Sequence, residues 1–100
     1  MKKHTKIYLT ALNYVLDDFI PSELSQARAN DTHHIISRSK GGEDRIENLM
    51  ALTRAEHLEY GDKVGYMVML LTKHRNYLAV NGVPFDLQWF DDKIKKYSVS

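Results

Sequence analysis

Apolar residues recur at helical spacing in three stretches of this chain. In the first, from Thr5 to Leu16, they lie three and four positions apart, which predicts a short helix that ends before Pro21. A second stripe runs from Val64 to Leu78 and stops at Asn81-Gly82, a typical helix end. The third follows Asp86, which can cap a last helix. The pattern therefore predicts helices at both ends of the chain.

The segment between the first two helical stretches has a different pattern. Residues from Phe19 to Ile35 include β-prone pieces around a polar turn at Ser25-Gln26, which predicts a hairpin whose returning strand runs into His33-His34. Ser37 to Asp44 is polar, and its two glycines favour a loop. Ile46 to Leu52 is rich in apolar residues and predicts a short strand or an extended entry into a helix.

A capping box predicts where the second helical stretch begins. The Thr53 hydroxyl and the Glu56 carboxylate are spaced to satisfy free amides at a helix start, which places His57 in the first turn. We expect one long helix from there, with weak points at Gly61 and Gly65. Helix, hairpin, loop and two further helices together predict a small α+β domain.

Composition narrows the class of protein. A chain of 100 residues predicts one domain over residues 1–100, and no apolar run is long enough to cross a membrane. We therefore expect a soluble cytoplasmic protein with no membrane partner. The absence of cysteine excludes disulfides and thiolate zinc ligands, so a bound metal must use histidine, carboxylate or amide groups. A net charge of +1 gives no strong electrostatic footprint for nucleic acid, although the five basic residues between Arg28 and Arg54 leave a local basic patch open.

Candidate chemistry is concentrated between Asp31 and His57. Phosphodiester hydrolysis needs a base for water, a cation for the phosphoryl charge and a rigid frame. Three imidazoles, Asn48 and a glycine pair fall in this window and can supply all three. Neighbouring residues on a strand point to opposite faces, so His33 and His34 can address one phosphate only where the strand ends or bends.

The motifs in this window resemble those of the HNH endonuclease family. They are His-His-Ile, Arg-Ser-Lys-Gly-Gly, Glu-Asn-Leu-Met-Ala-Leu and Glu-His, with 14 residues from His34 to Asn48 and 9 from Asn48 to His57. The resemblance implies a small ββα-metal core over about residues 20–61. A helix would flank this core on its N-terminal side, and a helical part over about 62–98 on its C-terminal side. The resemblance also implies that His34 is the general base, that His33 and His57 hold a metal, and that Asn48 constrains the loop.

Two departures from the family pattern affect the expected metal chemistry. Ser22 to Ser25 and Thr53 to Glu56 stand where many members carry two C-x-x-C pairs on a structural zinc. Gly61 stands where colicin-type members have a further metal-binding histidine. The resemblance then implies one divalent ion, Mg²⁺, Mn²⁺, Ni²⁺ or Zn²⁺, on two protein ligands. Arg38 and Lys40 are predicted phosphate contacts.

The predicted function is a metal-dependent DNA endonuclease similar to small stand-alone phage proteins. Its partner would be DNA, with a homodimer or a phage packaging partner as further expectations. One alternative is a DNA-binding or packaging accessory of the same fold with weak or no cleavage, and another is a zinc-stabilised structural module.

Other polar residues are predicted to have ordinary structural roles. His4 and His74 lack a motif partner, and Asp31 is predicted to face water rather than to support a ligand histidine. The same expectation, of solvated charges rather than DNA contacts, applies to Arg28, Arg45 and Arg54.

Overall fold

The computed structural model describes residues 1–98, and the last two residues of the predicted domain lie outside this part. Within it, four α-helices flank a two-stranded antiparallel sheet. The elements are α1 (Lys3–Ala11), β1 (Asp31–His34), β2 (Leu49–Leu52), α2 (Arg54–Tyr60), α3 (Val64–Val80) and α4 (Leu87–Tyr97), with short 3-10 turns at Arg38–Lys40 and Ile46–Asn48. The predicted α+β class is confirmed.

The sheet differs from the predicted hairpin. β1 pairs with β2 across the loop, with Asp31 opposite Leu52 and His34 opposite Leu49. Before β1, around the predicted turn, the chain forms one isolated bridge, from Pro21 to Arg28. Gln26 takes a left-handed conformation with φ of 67°. This tight turn leaves few residues to pair, and β1 gains more by pairing with the fully buried strand β2.

The first helix is shorter than predicted. It ends at Ala11 instead of Leu16, because Asn13 adopts a positive φ of 60° and the Tyr14 amide turns back to the Leu9 carbonyl at 2.8 Å. The apolar residues beyond this point, Val15 and Leu16, are exposed.

The predicted long helix is broken at one of its two weak points. α2 begins after the expected capping box, in which Thr53 Oγ1 accepts from the Glu56 amide and Glu56 accepts from the Thr53 amide. It ends at Gly61, whose backbone is extended, and Asp62 then takes a φ of 59°. Gly65 lies inside α3 without interrupting it. The break allows α2 to pack on the sheet while α3 packs on α4.

A buried polar cluster joins α1, the Pro21–Arg28 turn and α3. His74 Nδ1 lies 2.7 Å from Glu23 Oε1, and Tyr8 donates to Glu23 Oε2 at 2.7 Å. His74 Nε2 bonds the Ile46 carbonyl at 2.6 Å, so the imidazole is satisfied on both sides although it is fully buried. The predicted structural role of His74 agrees with this environment.

A hydrogen bond connects the two segments that stand in place of the cysteine pairs. Ser22 is fully buried and its hydroxyl donates to Glu56 Oε1 at 2.5 Å, while the same hydroxyl oxygen accepts from the amides of Leu24 and Ser25. Glu56 is also the capping residue of α2. One polar contact therefore ties the turn before β1 to the helix that follows β2.

No helix within residues 1–98 is long and apolar enough to cross a membrane.

Candidate functional site

An open cleft of about 580 Å³ lies where β1 ends and α1 and α2 approach it. Its walls bring together predicted and unpredicted polar side chains: His4, Asp31, His33, His34, Arg38 and His57. Antiparallel pairing explains the arrangement, because the start of β1 lies opposite Leu52 and therefore beside the first turn of α2.

His33 is a buried imidazole with an unused nitrogen. Its side chain is almost fully buried, and Nε2 has no hydrogen-bond partner among residues 1–98. The ring centroid of His57 is 4.5 Å away. Burial, and then the nearby His57, lower the pKa of His33 to about 4, so the ring is neutral at pH 7. A neutral imidazole with a free lone pair is the form that binds a metal.

His57 is oriented by a carboxylate. Its Nδ1 lies 3.0 Å from Asp31 Oδ2, and since a carboxylate accepts, Nδ1 carries the hydrogen and Nε2 keeps its lone pair. Arg54 donates two hydrogen bonds to the same carboxylate, from Nε at 2.8 Å and from Nη2 at 2.9 Å. These bonds, with the Arg54 contribution largest, hold the pKa of Asp31 down to about 2.

One expectation about these supporting residues is wrong. Asp31 does not simply face water, because it is mostly buried and bonds a predicted ligand histidine. Arg54 is 67% exposed, as expected of a solvated charge, and it also forms a two-bond ion pair with Asp31. Arg54 and His57 are 23 and 26 residues away from Asp31 along the chain and meet it only through sheet pairing.

His34 is held by a second carboxylate. Its Nε2 lies 2.7 Å from Asp44 Oδ1, and Arg38 Nη2 contacts both Asp44 oxygens at 3.1 Å. The hydrogen bond from His34, together with Arg38, lowers the pKa of Asp44. An ionised Asp44 accepts, so His34 carries its hydrogen on Nε2 and its Nδ1 lone pair is available. Sequence reasoning assigned Asp44 only to the end of the loop.

Asn48 fixes the loop between the strands. It is fully buried; its Oδ1 accepts from the Ile36 amide at 2.8 Å, and its Nδ2 donates to the carbonyls of Ile36 and Glu43 at 3.0 Å each. The glycine pair completes the turn. Gly41 has a φ of 86°, and a β-carbon at Gly42 would lie 1.7 Å from the Ile36 carbonyl oxygen. Only glycine fits this close approach.

His4 lies in the cleft, which contradicts the prediction that it is an isolated structural residue. α1 places its ring centroid 4.5 Å from that of His34. Burial, and then the neighbouring His34, lower the pKa of His4. No motif spacing signals this contact, because α1 lies outside the motif and reaches His34 only by packing on the sheet.

Gly61 leaves no room for a third ligand on α2. A β-carbon there would lie 2.5 Å from the His57 carbonyl oxygen, 2.7 Å from His57 Cδ2 and 3.2 Å from His33 Cε1. The two imidazoles therefore fill the space next to the end of the helix. Lys40, the second predicted phosphate contact, is exposed on the loop near Arg38.

The buried His33 predicts a pH dependence of stability in metal-free buffer. Between pH 6.5 and 4 the unfolded chain binds a proton on His33 that the folded chain rejects, so stability is lost as the pH falls through this range. The contribution is about 3 kcal/mol. Urea unfolding of wild type and His33→Gln across this range tests it, and parallel curves for the two proteins would contradict the assignment.

Comparisons with known proteins give one family match and one relative. Residues 20–63 match the family model described as HNH endonuclease. The chain is also 39% identical over 66 residues to "Probable mobile endonuclease C" of Enterobacteria phage T4, in a match that covers 55% of this chain. The matched region spans 31% of that phage protein. No solved structure gives a significant match.

Proposed function

We propose that this chain is a metal-dependent endonuclease that hydrolyses DNA phosphodiester bonds. The observation that carries the proposal is the unpartnered, buried Nε2 of His33 beside an oriented His57, in the cleft that also holds His34. A buried polar atom without a partner costs free energy, which is recovered when a ligand occupies it. The family and the phage relative support nuclease chemistry over other uses of such a site.

His33 and His57 would hold one divalent ion through their Nε2 atoms. When bound, the ion supplies positive charge that stabilises the pentacovalent phosphoryl group and the leaving 3′ oxygen. Asp31 keeps His57 in the tautomer that presents Nε2, and Arg54 keeps Asp31 in place. With two imidazole ligands, affinity would be modest and the ion exchangeable, and Mg²⁺, Mn²⁺, Ni²⁺ and Zn²⁺ are all candidates.

His34 would act as the general base. Because Asp44 takes the Nε2 hydrogen, the Nδ1 lone pair is free to accept a proton from the attacking water. Asp44 stabilises the imidazolium that results, and Asn48 holds the loop that connects the two groups. In-line attack then leaves a 5′-phosphate and a 3′-hydroxyl.

Arg38 and Lys40 would contact the DNA backbone at the edge of the cleft. The Arg38 side chain remains 60% exposed although it bonds Asp44, so its other nitrogens can reach a phosphate. With a net charge of +1, affinity for DNA would be modest and sensitive to salt. Two active sites, through a homodimer or a partner, would be needed for a double-strand break. We expect this single domain to act on DNA in the cytoplasm.

A weakly active accessory protein is the second candidate. The specific observation in its favour is Gly61, where the packed rings of His33 and His57 exclude a third ligand side chain. A site with two imidazoles binds metal less tightly than one with three. The accessory hypothesis predicts DNA binding without metal-dependent cleavage, so the two candidates differ in a single assay.

The metal requirement of cleavage tests the proposed ligands. We expect Mn²⁺-supported cleavage of a labelled duplex to need at least about 10-fold more metal in His57→Ala than in wild type, because one ligand is lost. Leu58→Ala is the matched control, since Leu58 is the next residue of α2 and is 71% exposed. End-group analysis should give 5′-phosphate products. An unchanged metal requirement in His57→Ala would contradict the assignment.

A further inference from the structure

Three side chains of types that can bind a metal lie together beside the cleft: His4 and His34 line it, and Asp44 bonds His34. One ligand atom each from His4, His34 and Asp44 lies within 4.8 Å of the other two. They come from α1, β1 and the loop, so the fold assembles them from separate elements. The rings of His4 and His34 are tilted by 52° rather than stacked, which allows a nitrogen of each to face a common point.

We propose that His4, His34 and Asp44 form a second metal site that takes Zn²⁺ and blocks the base. Two imidazoles and a carboxylate, with water in the fourth position, are a common zinc ligand set. The set is poor for Mg²⁺, which prefers oxygen ligands in an octahedron. The site is therefore selective against the most abundant activating ion.

The existing contacts are compatible with zinc at this position. Arg38 contacts both Asp44 oxygens at 3.1 Å, so it can keep Oδ2 while Oδ1 turns to the ion. Zinc would replace the hydrogen that His34 Nε2 now shares with Asp44 Oδ1 at 2.7 Å. That proton moves to Nδ1 by exchange through solvent, because a neutral imidazole keeps one ring hydrogen.

Zinc at this site would inhibit the reaction, a consequence that rests on the proposed function. A neutral imidazole that binds zinc through Nε2 carries its hydrogen on Nδ1. Nδ1 is the atom that must accept a proton from water, so His34 can no longer act as the base. His4 takes no part in the proposed reaction and serves only the inhibitory site.

Zinc stoichiometry of the folded protein tests the site without any cleavage assay. Titration against a chromophoric zinc chelator should give two zinc ions per chain for wild type, one for His4→Ala and one for His57→Ala. Lys6→Ala, an exposed position on the same helix, should keep two. Circular dichroism of the metal-free proteins checks that each variant folds.

Zinc binding by His4→Ala that equals wild type in number and affinity would overturn the site. A single zinc in wild type that is lost in His57→Ala and kept in His4→Ala would do the same.

Inhibition provides the second readout. Micromolar zinc should suppress Mn²⁺-supported cleavage by wild type, and His4→Ala should need at least 10-fold more zinc for the same suppression. Equal sensitivity of the two proteins would overturn the inhibitory role. If neither protein cleaves DNA with any metal, the proposed function fails, and the zinc stoichiometry still decides whether this second site exists.

Discussion

Replacing His34 with alanine is expected to lower the rate of DNA cleavage by about 10²- to 10⁴-fold, the usual contribution of a general base. His34 Nε2 is tied to Asp44, which leaves Nδ1 as the one nitrogen of this ring that can take a proton. Removing the ring leaves water to be deprotonated by solvent. The affinity for the activating ion should change little, because its ligands His33 and His57 remain. Single-turnover cleavage at saturating Mn²⁺ measures the effect on the chemical step alone.

Chemical rescue separates loss of the base from loss of structure. Added imidazole should restore part of the activity of His34→Ala, because the small base can enter the open cleft, and it should not accelerate wild type. Asp44→Asn keeps a hydrogen-bond acceptor but removes the charge that stabilises the imidazolium, so its rate should fall between the two. Wild-type rates in a folded His34→Ala protein would remove His34 from the mechanism.

Replacing Gly42 with alanine is expected to lower the free energy of unfolding by at least about 2–3 kcal/mol, among the larger effects of a single substitution. The new β-carbon would lie 1.7 Å from the Ile36 carbonyl oxygen. That oxygen is held by Asn48 Nδ2 at 3.0 Å, and the Gly42 amide is held by the Ser37 carbonyl at 2.9 Å. The turn cannot open without breaking these bonds, so cleavage should fall with stability.

The other glycines provide controls for this effect. Gly65 lies inside α3 with nothing within 4 Å of its β-carbon position, so Gly65→Ala should raise stability by about 0.5–1 kcal/mol. Gly41 has similar open space but a φ of 86°, so Gly41→Ala should cost about 1 kcal/mol through backbone strain alone. Thermal or urea unfolding of the three variants measures the order of their stabilities. Equal stability of Gly42→Ala and Gly65→Ala would show that the loop has another conformation.

Local signals predicted the parts of the fold that local interactions decide. The capping box at Thr53 and the cap at Asp86 both place a helix start correctly, since each is satisfied within a few residues. The pairing of β1 with β2 is not predicted, because a turn at Ser25-Gln26 predicts that β1 pairs with the segment just before that turn. The strand partner was instead decided by burial of β2, which lies beyond the loop.

The site residues also fall into two groups, those that sequence spacing predicts and those that only the three-dimensional contacts bring in. Motif spacing predicts His33, His34, Asn48 and His57 as site residues, because the motif lies within one short stretch of the chain. The carboxylates that orient the histidines are not predicted, because Asp31 and Asp44 carry no spacing signal and acquire their roles through three-dimensional contact. His4 is the extreme case, since it belongs to a helix outside the motif and enters the cleft only through packing of α1.

A buried contact joins the two segments that correspond, by the resemblance, to the cysteine pairs of a structural zinc. Ser22 donates to Glu56, and Glu56 caps α2, so one side chain connects the turn before β1 with the helix that carries His57. A serine and a glutamate at these positions are unremarkable in sequence. Their combined role depends on a buried contact between residues 34 apart in the chain.

Relaxation of supercoiled plasmid by metal-stripped protein tests the central claim most directly. Mg²⁺, Mn²⁺, Ni²⁺ and Zn²⁺ are added back in turn, and wild type should nick the plasmid with at least one of these ions. It should leave the plasmid intact when a chelator is present. His34→Ala that is equally folded should leave the plasmid supercoiled under the same conditions. Intact plasmid with folded wild type and every ion, or equal nicking by wild type and His34→Ala, would contradict the account.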